Sequence, residues 1–71
     1  MKRDEHQILQ EDYPDIHQLW CDAVNADFQT EYFYEQGKPK EAEASWKLHE
    51  EKWAEYLFAS KLVLTGHKDL E

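Results

Sequence analysis

Only four residues in this 71-residue chain oppose a continuous helix: two prolines and two glycines, at Pro14, Gly37, Pro39 and Gly66. Their order decides most of what the chain can be. Pro14 suits the first turn of a helix, where its missing N–H costs nothing, and Asp12 with Asp15 is placed to cap that turn or complement its dipole. Nothing breaks the run to Gln36. Gly37 then fits the left-handed residue after a last turn, and Pro39 starts the chain afresh. A second run reaches Thr65, with Gly66 closing it. The spacing predicts an all-α protein, an antiparallel two-helix hairpin over about residues 14–36 and 40–65, each helix about 35 Å long. The N-terminal segment is expected to add a short helical turn around Ile8 and Leu9 or to fray. Residues 1–71 make one domain, with 1–12 and 67–71 as flexible ends.

The apolar residues of each helix fall into more than one stripe. In the first, Ile16, Leu19, Trp20, Ala23, Ala26, Thr30, Phe33 and Tyr34 share a face and form the expected hairpin seam, while Cys21, Val24, Phe28 and Tyr32 form a second row. In the second, Ala42, Trp46, His49, Trp53, Tyr56, Leu57, Ser60 and Leu64 make the seam, and Ala44, Leu48, Ala59 and Leu62 another face. Two helices cannot cover all of this for each other. Dimerisation into a four-helix bundle is the simplest cover, with Trp20, Val24, Trp46, Trp53, Leu57 and Leu64 as the expected self-association residues.

Small domains usually need a disulfide, a metal or a partner to offset their limited core. Cys21 is the single cysteine, so no intrachain disulfide forms, and no Cys/His cluster has the usual zinc spacing. The N-terminus MKRDEHQILQED lacks the apolar stretch of a leader, and no run approaches the ~20 apolar residues of a membrane span. A cytoplasmic protein is expected, with no membrane contact.

Charge is distributed unevenly. Nine acids and no Lys or Arg lie between Asp4 and Gly37, whereas Lys38 to Glu71 carries seven acids and six lysines, and the whole chain has a formal net charge of −8. A surface so anionic is not expected to bind nucleic acid directly, because phosphate binding draws on Lys and Arg. A protein partner with a basic surface is its complement.

Catalytic chemistry has few places to reside. His17 and Cys21 are one helical turn apart, but two ligands are not a metal site. Asp27, Glu31 and Glu35 run along one edge of the first long helix, and Glu51 with Glu55 along the second; the Glu-x-x-His motif of di-metal bundles is absent. His49 lies between Trp46 and Trp53 and reads as a hydrogen-bonded core residue rather than a proton-transfer group. His6 and His67 fall in the expected tails. There is no nucleophile elbow and no Gly-rich phosphate loop. No enzyme activity, cofactor or metal is expected.

Phe28 and Tyr32 are hard to seat in the seam, acids flank them, and they fit a dimer contact as well as a partner's. Aromatic contact area within a charged surround is characteristic of protein-binding surfaces. The expected function is therefore a small acidic protein–protein interaction module, an adaptor or modulator, with Asp22, Phe28, Glu31, Tyr32 and Glu35 as partner-binding residues. One alternative is a nucleic-acid mimic whose carboxylates occupy the groove of a basic nucleic-acid-binding protein. Another is a carboxylate-metal hydrolase using Asp27, Glu31, Glu51 and Glu55.

Overall fold

Asp4 and Gln7 start the first helix by satisfying each other's backbone. The Asp4 carboxylate accepts from the Gln7 N–H at 2.8 Å, and the Gln7 side-chain oxygen accepts from the Asp4 N–H at 3.2 Å, a complete capping box. The computed structural model describes residues 3–67, which form three helices with no strand among them: α1 (Glu5–Asp12), α2 (Pro14–Glu35) and α3 (Pro39–Leu64). Of the two options the sequence left for the N-terminal segment, the helical one is found. Over residues 5–12 the expected flexible end is replaced by packed structure, because Ile8 and Leu9 are fully buried. Positions 1–2 and 68–71 of the expected ends lie outside the described residues.

Tyr13 joins α1 to α2 in a single residue. Its N–H donates to the Leu9 carbonyl at 3.0 Å, and its own carbonyl accepts from Ile16 and His17 at 3.1 Å. Pro14 occupies the first turn as its chemistry requires. The expected cap by Asp12 is not made, since α2 has no side-chain cap. Asp12 turns instead to Arg3, whose guanidinium reaches Asp12 at 2.8 Å and Glu11 at 2.9 Å, fastening the chain before α1 to the end of α1. His67 follows α3 and lies beside the same carboxylate, 3.7 Å from Asp12, with its ring against Tyr13.

Gly37 reverses the chain between α2 and α3. It adopts φ +72°, its N–H donates to the Tyr34 carbonyl at 3.1 Å, and Lys38 N–H reaches the Phe33 carbonyl at 2.8 Å. These two bonds are the Schellman pair, which satisfies carbonyls that the last turn would otherwise orphan. Gly66, at φ +74°, follows the end of α3.

The seam between α2 and α3 is built from small side chains. Ala23, Ala26 and Thr30 on α2, with Ala42, Ser45 and Ser60 on α3, are the buried residues of the two long helices. Thr30 and Ser60 satisfy their hydroxyls on backbone carbonyls one turn earlier, Ala26 at 2.8 Å and Leu57 at 3.2 Å. Among the described residues no buried side-chain polar atom lacks a partner. The buried seam is left to these small residues, and the expectation that Tyr34, Trp46 and Trp53 fill it is corrected. Tyr34 is 62% exposed, Trp46 43% and Trp53 38%. The indoles sit along the flank of α3 and stack on their own neighbours: Trp46 on His49 at 4.8 Å, His49 on Trp53 at 6.2 Å, then Trp53 edge-on to Tyr56 at 5.3 Å.

His49 crosses the seam. Its Nδ1 lies 2.7 Å from the Ala23 carbonyl oxygen. A carbonyl can only accept, so Nδ1 carries the proton and donates. His49 thus has the structural role its position between two indoles suggested.

Candidate functional site

One flank of the hairpin gathers most of the residues singled out in the sequence. On α2, Trp20, Val24, Asp27, Glu31 and Tyr34 follow one another at alternating steps of four and three residues, which places them in a single row along the helix. On α3, Trp46, Trp53, Leu57 and Leu64 are spaced by seven, four and seven and make a facing row. The two rows meet near the turn, where Asp27, Thr30, Glu31, Tyr34 and Trp46 line a cleft of about 360 Å³. All six expected self-association residues therefore lie on this one flank. Sequence reasoning did not assign Asp27 and Tyr34 to a binding surface. The four-and-three spacing from Trp20 carried that signal, but it was hidden by assigning Tyr34 to the seam.

Helix α1 covers one end of the same flank. The His6 ring packs edge-on against His17 at 5.0 Å and Trp20 at 4.9 Å, so this histidine, expected in a tail, holds α1 to α2. At the other side Glu5 lines a cleft with Leu57, Ser60, Lys61 and Leu64 of α3. The phenol of Tyr56 feels both neighbours: burial raises its pKa above the ordinary 10.0, and the Glu5 carboxylate raises it further.

The expected partner-binding residues divide between two places. Phe28, Glu31, Tyr32 and Glu35 are spaced i, i+3, i+4, i+7 and form one outward edge of α2, with Phe28 65% and Tyr32 56% exposed. Asp22 does not join them. Six residues before Phe28 it points to another face, where it accepts from Gln18 Nε2 at 3.0 Å. Asp27, Glu31 and Glu35 have no cation within ion-pair distance among the described residues. On α3, by contrast, Glu43 is 3.5 Å from Lys47 and Glu55 is 3.9 Å from Lys52.

Metal chemistry needs ligands that converge. The quartet Asp27, Glu31, Glu51 and Glu55 does not: Asp27 and Glu31 border Trp46, whereas Glu55 turns to Lys52. His17 and Cys21 are neighbours, Nδ1 to Sγ 3.7 Å, with Cys21 half-buried. Among the described residues no group of three His, Cys, Asp or Glu side chains is arranged to hold a metal ion, and no helix is long and apolar enough to cross a membrane. Comparison with protein families, with characterised proteins and with solved structures finds no match, so the functional reading rests on these residues alone.

Proposed function

We propose that this protein is a protein–protein interaction module that binds a basic partner through the acidic, aromatic surface of α2. The observation that supports this reading most is the edge Phe28, Glu31, Tyr32, Glu35. Two aromatic rings stand more than half exposed there, beside carboxylates that no lysine or arginine of the described chain neutralises. Exposed rings of this size lose free energy in water unless something covers them, and uncompensated acids select a cationic cover. Affinity capture from the native host tests it, with the wild type, Phe28→Ala/Tyr32→Ala and Glu31→Lys/Glu35→Lys as baits. Proteins enriched on the wild type and lost from both variants support the reading; equal capture by all three baits overturns it. Repeating the capture at high salt separates the nucleic-acid mimic, whose binding falls steeply with ionic strength, from binding that the aromatics sustain.

Self-association is proposed on a different surface. Phe58 is 69% exposed and Leu62 65%, and with Lys61 and Thr65 they line a cleft on the outer side of α3. The nearby Glu55 is paired with Lys52 at 3.9 Å, which reduces the charge that two copies would oppose there. Light scattering after size-exclusion chromatography tests this: a salt-resistant dimer that Phe58→Glu converts to monomer supports it, and a wild-type monomer ends it.

A further inference from the structure

The flank on which α1 lies is only partly covered. α1 spans eight residues, about 12 Å, against rows on α2 and α3 that run on toward the turn. From Leu57, beside Glu5, to Trp46 is eleven residues of α3, about 16 Å of uncovered groove. From Trp20, beside His6, to Tyr34 is fourteen residues of α2, about 21 Å. This open stretch matches three to four turns of helix. α1 already demonstrates what this bed accepts, a helix that buries its apolar side chains, here Ile8 and Leu9.

We propose that the open part of the groove receives one basic amphipathic helix of a partner protein, laid end to end with α1, so that a third helical layer runs the length of the hairpin. This rests on the protein-binding reading above and specifies its partner. The floor is apolar and aromatic, with Val24 half-buried and Trp46 and Trp53 more than a third exposed. Acids are interleaved with these side chains: Asp27 and Glu31 share the α2 row of Val24 and line a cleft with Trp46, Glu50 stands on α3, none of the three has an ion-pair partner among the described residues, and α2 contains no lysine or arginine. A groove that interleaves apolar side chains with one sign of charge selects a helix with an apolar stripe bordered by the opposite sign. The same acids argue against a second copy of this chain as occupant. Seating the flank on its own duplicate would set Asp27, Glu31 and Glu50 of one copy against those of the other, and like charges so placed repel.

The test uses two synthetic 14-residue helical peptides with identical leucines at i, i+3, i+4 and i+7, one carrying lysine and the other glutamate at the remaining positions. Binding to the full chain is followed by tryptophan fluorescence, which reports on Trp46 and Trp53 directly. The lysine peptide is expected to bind at least tenfold more tightly than the glutamate peptide and to weaken at least tenfold against Asp27→Lys/Glu50→Lys. Against Glu51→Lys/Asp15→Lys, which changes the net charge equally but away from the groove, it is expected to weaken less than threefold. Circular dichroism confirms that each variant is folded. Equal affinity for the two peptides, or no binding of either, overturns the proposal. So does a lysine peptide that tolerates Asp27→Lys/Glu50→Lys but is released by Phe28→Ala/Tyr32→Ala, a result that leaves the protein-binding reading standing on the outer edge of α2.

Discussion

Replacing Ile8 by alanine tests whether α1 is part of the fold or an ornament on a two-helix hairpin. Ile8 and Leu9 are the only large side chains in the described chain that are fully buried, while the α2–α3 seam contributes alanines, serines and a threonine. Truncating a buried Ile to Ala costs about 2–5 kcal/mol, the transfer free energy of the lost methyls plus the cavity they leave. For a chain this short the whole stability is on the order of 4–11 kcal/mol, so a loss of about 3 kcal/mol from one substitution in the shortest helix removes roughly a quarter or more of it. At about 4–8 °C of melting temperature per kcal/mol for a domain of this size, a loss of about 3 kcal/mol lowers Tm by roughly 12–24 °C. Thermal unfolding followed at 222 nm reads this directly. Phe28→Ala is the control, because a side chain 65% exposed loses little on truncation, within about 0.5 kcal/mol of wild type. A shift for Ile8→Ala no larger than the control's refutes the reasoning, because it means that α2 and α3 stand without α1.

Asp4→Ala removes the capping box of α1 and is expected to cost about 1 kcal/mol, read from urea midpoints; Asp4→Asn, which can still accept the Gln7 N–H, recovers most of it. Ala42→Leu overfills the narrow seam and is expected to destabilise by about 1–3 kcal/mol although it adds apolar surface, and a stabilised variant contradicts close packing there. Tyr56→Phe bears on pH. Because burial and then Glu5 raise the phenol's pKa in the folded protein above its ordinary 10.0, the folded state keeps this proton to higher pH than the unfolded chain does. The stability this contributes is complete below that value and is lost as pH rises through the folded one. Melting curves between pH 9 and 11 should fall less steeply for Tyr56→Phe than for the wild type, and parallel curves would show that Tyr56 is not desolvated.

The breakers made the hairpin legible. Pro14, Gly37 and Pro39 do in the structure what their chemistry demands, and the ends of α2 and α3 lie within about one residue of their expected places. What stayed hidden was lateral. Periodicity assigns residues to a face but does not rank neighbours within it, and a face holding Ala42, Ser45, Trp46, His49 and Trp53 can turn either its small or its large members to the seam. The small ones won, because Ala23, Ala26 and Thr30 opposite let the backbones approach, and an indole between them would hold the helices apart. α1 was obscured for a related reason. Eight residues with two adjacent apolar side chains have a weak helical pattern, and the reciprocal Asp4–Gln7 bonds, readable as a capping box of unusual composition, were the signal that could have found it.

The narrow seam also bears on where function can reside. A hairpin that closes on alanines leaves its aromatics along its edges, where they retain part of their area for another surface. Had Trp46 and Trp53 filled the seam, Asp27 and Glu31 would have no indole of α3 beside them on this flank, and a partner would find less contact area there. Because the rings flank the seam instead, the acids Asp27 and Glu31 stand next to Trp46 in the same cleft. Charge then steers and aromatic area holds, a division of labour that a purely anionic helix cannot supply. It also separates the two kinds of association proposed above. The acid-rimmed flank resists its own duplicate, whereas Phe58 and Leu62, whose neighbouring Glu55 is already paired, do not. The protein could thus pair with itself on one side of α3 while holding a basic helix on the other.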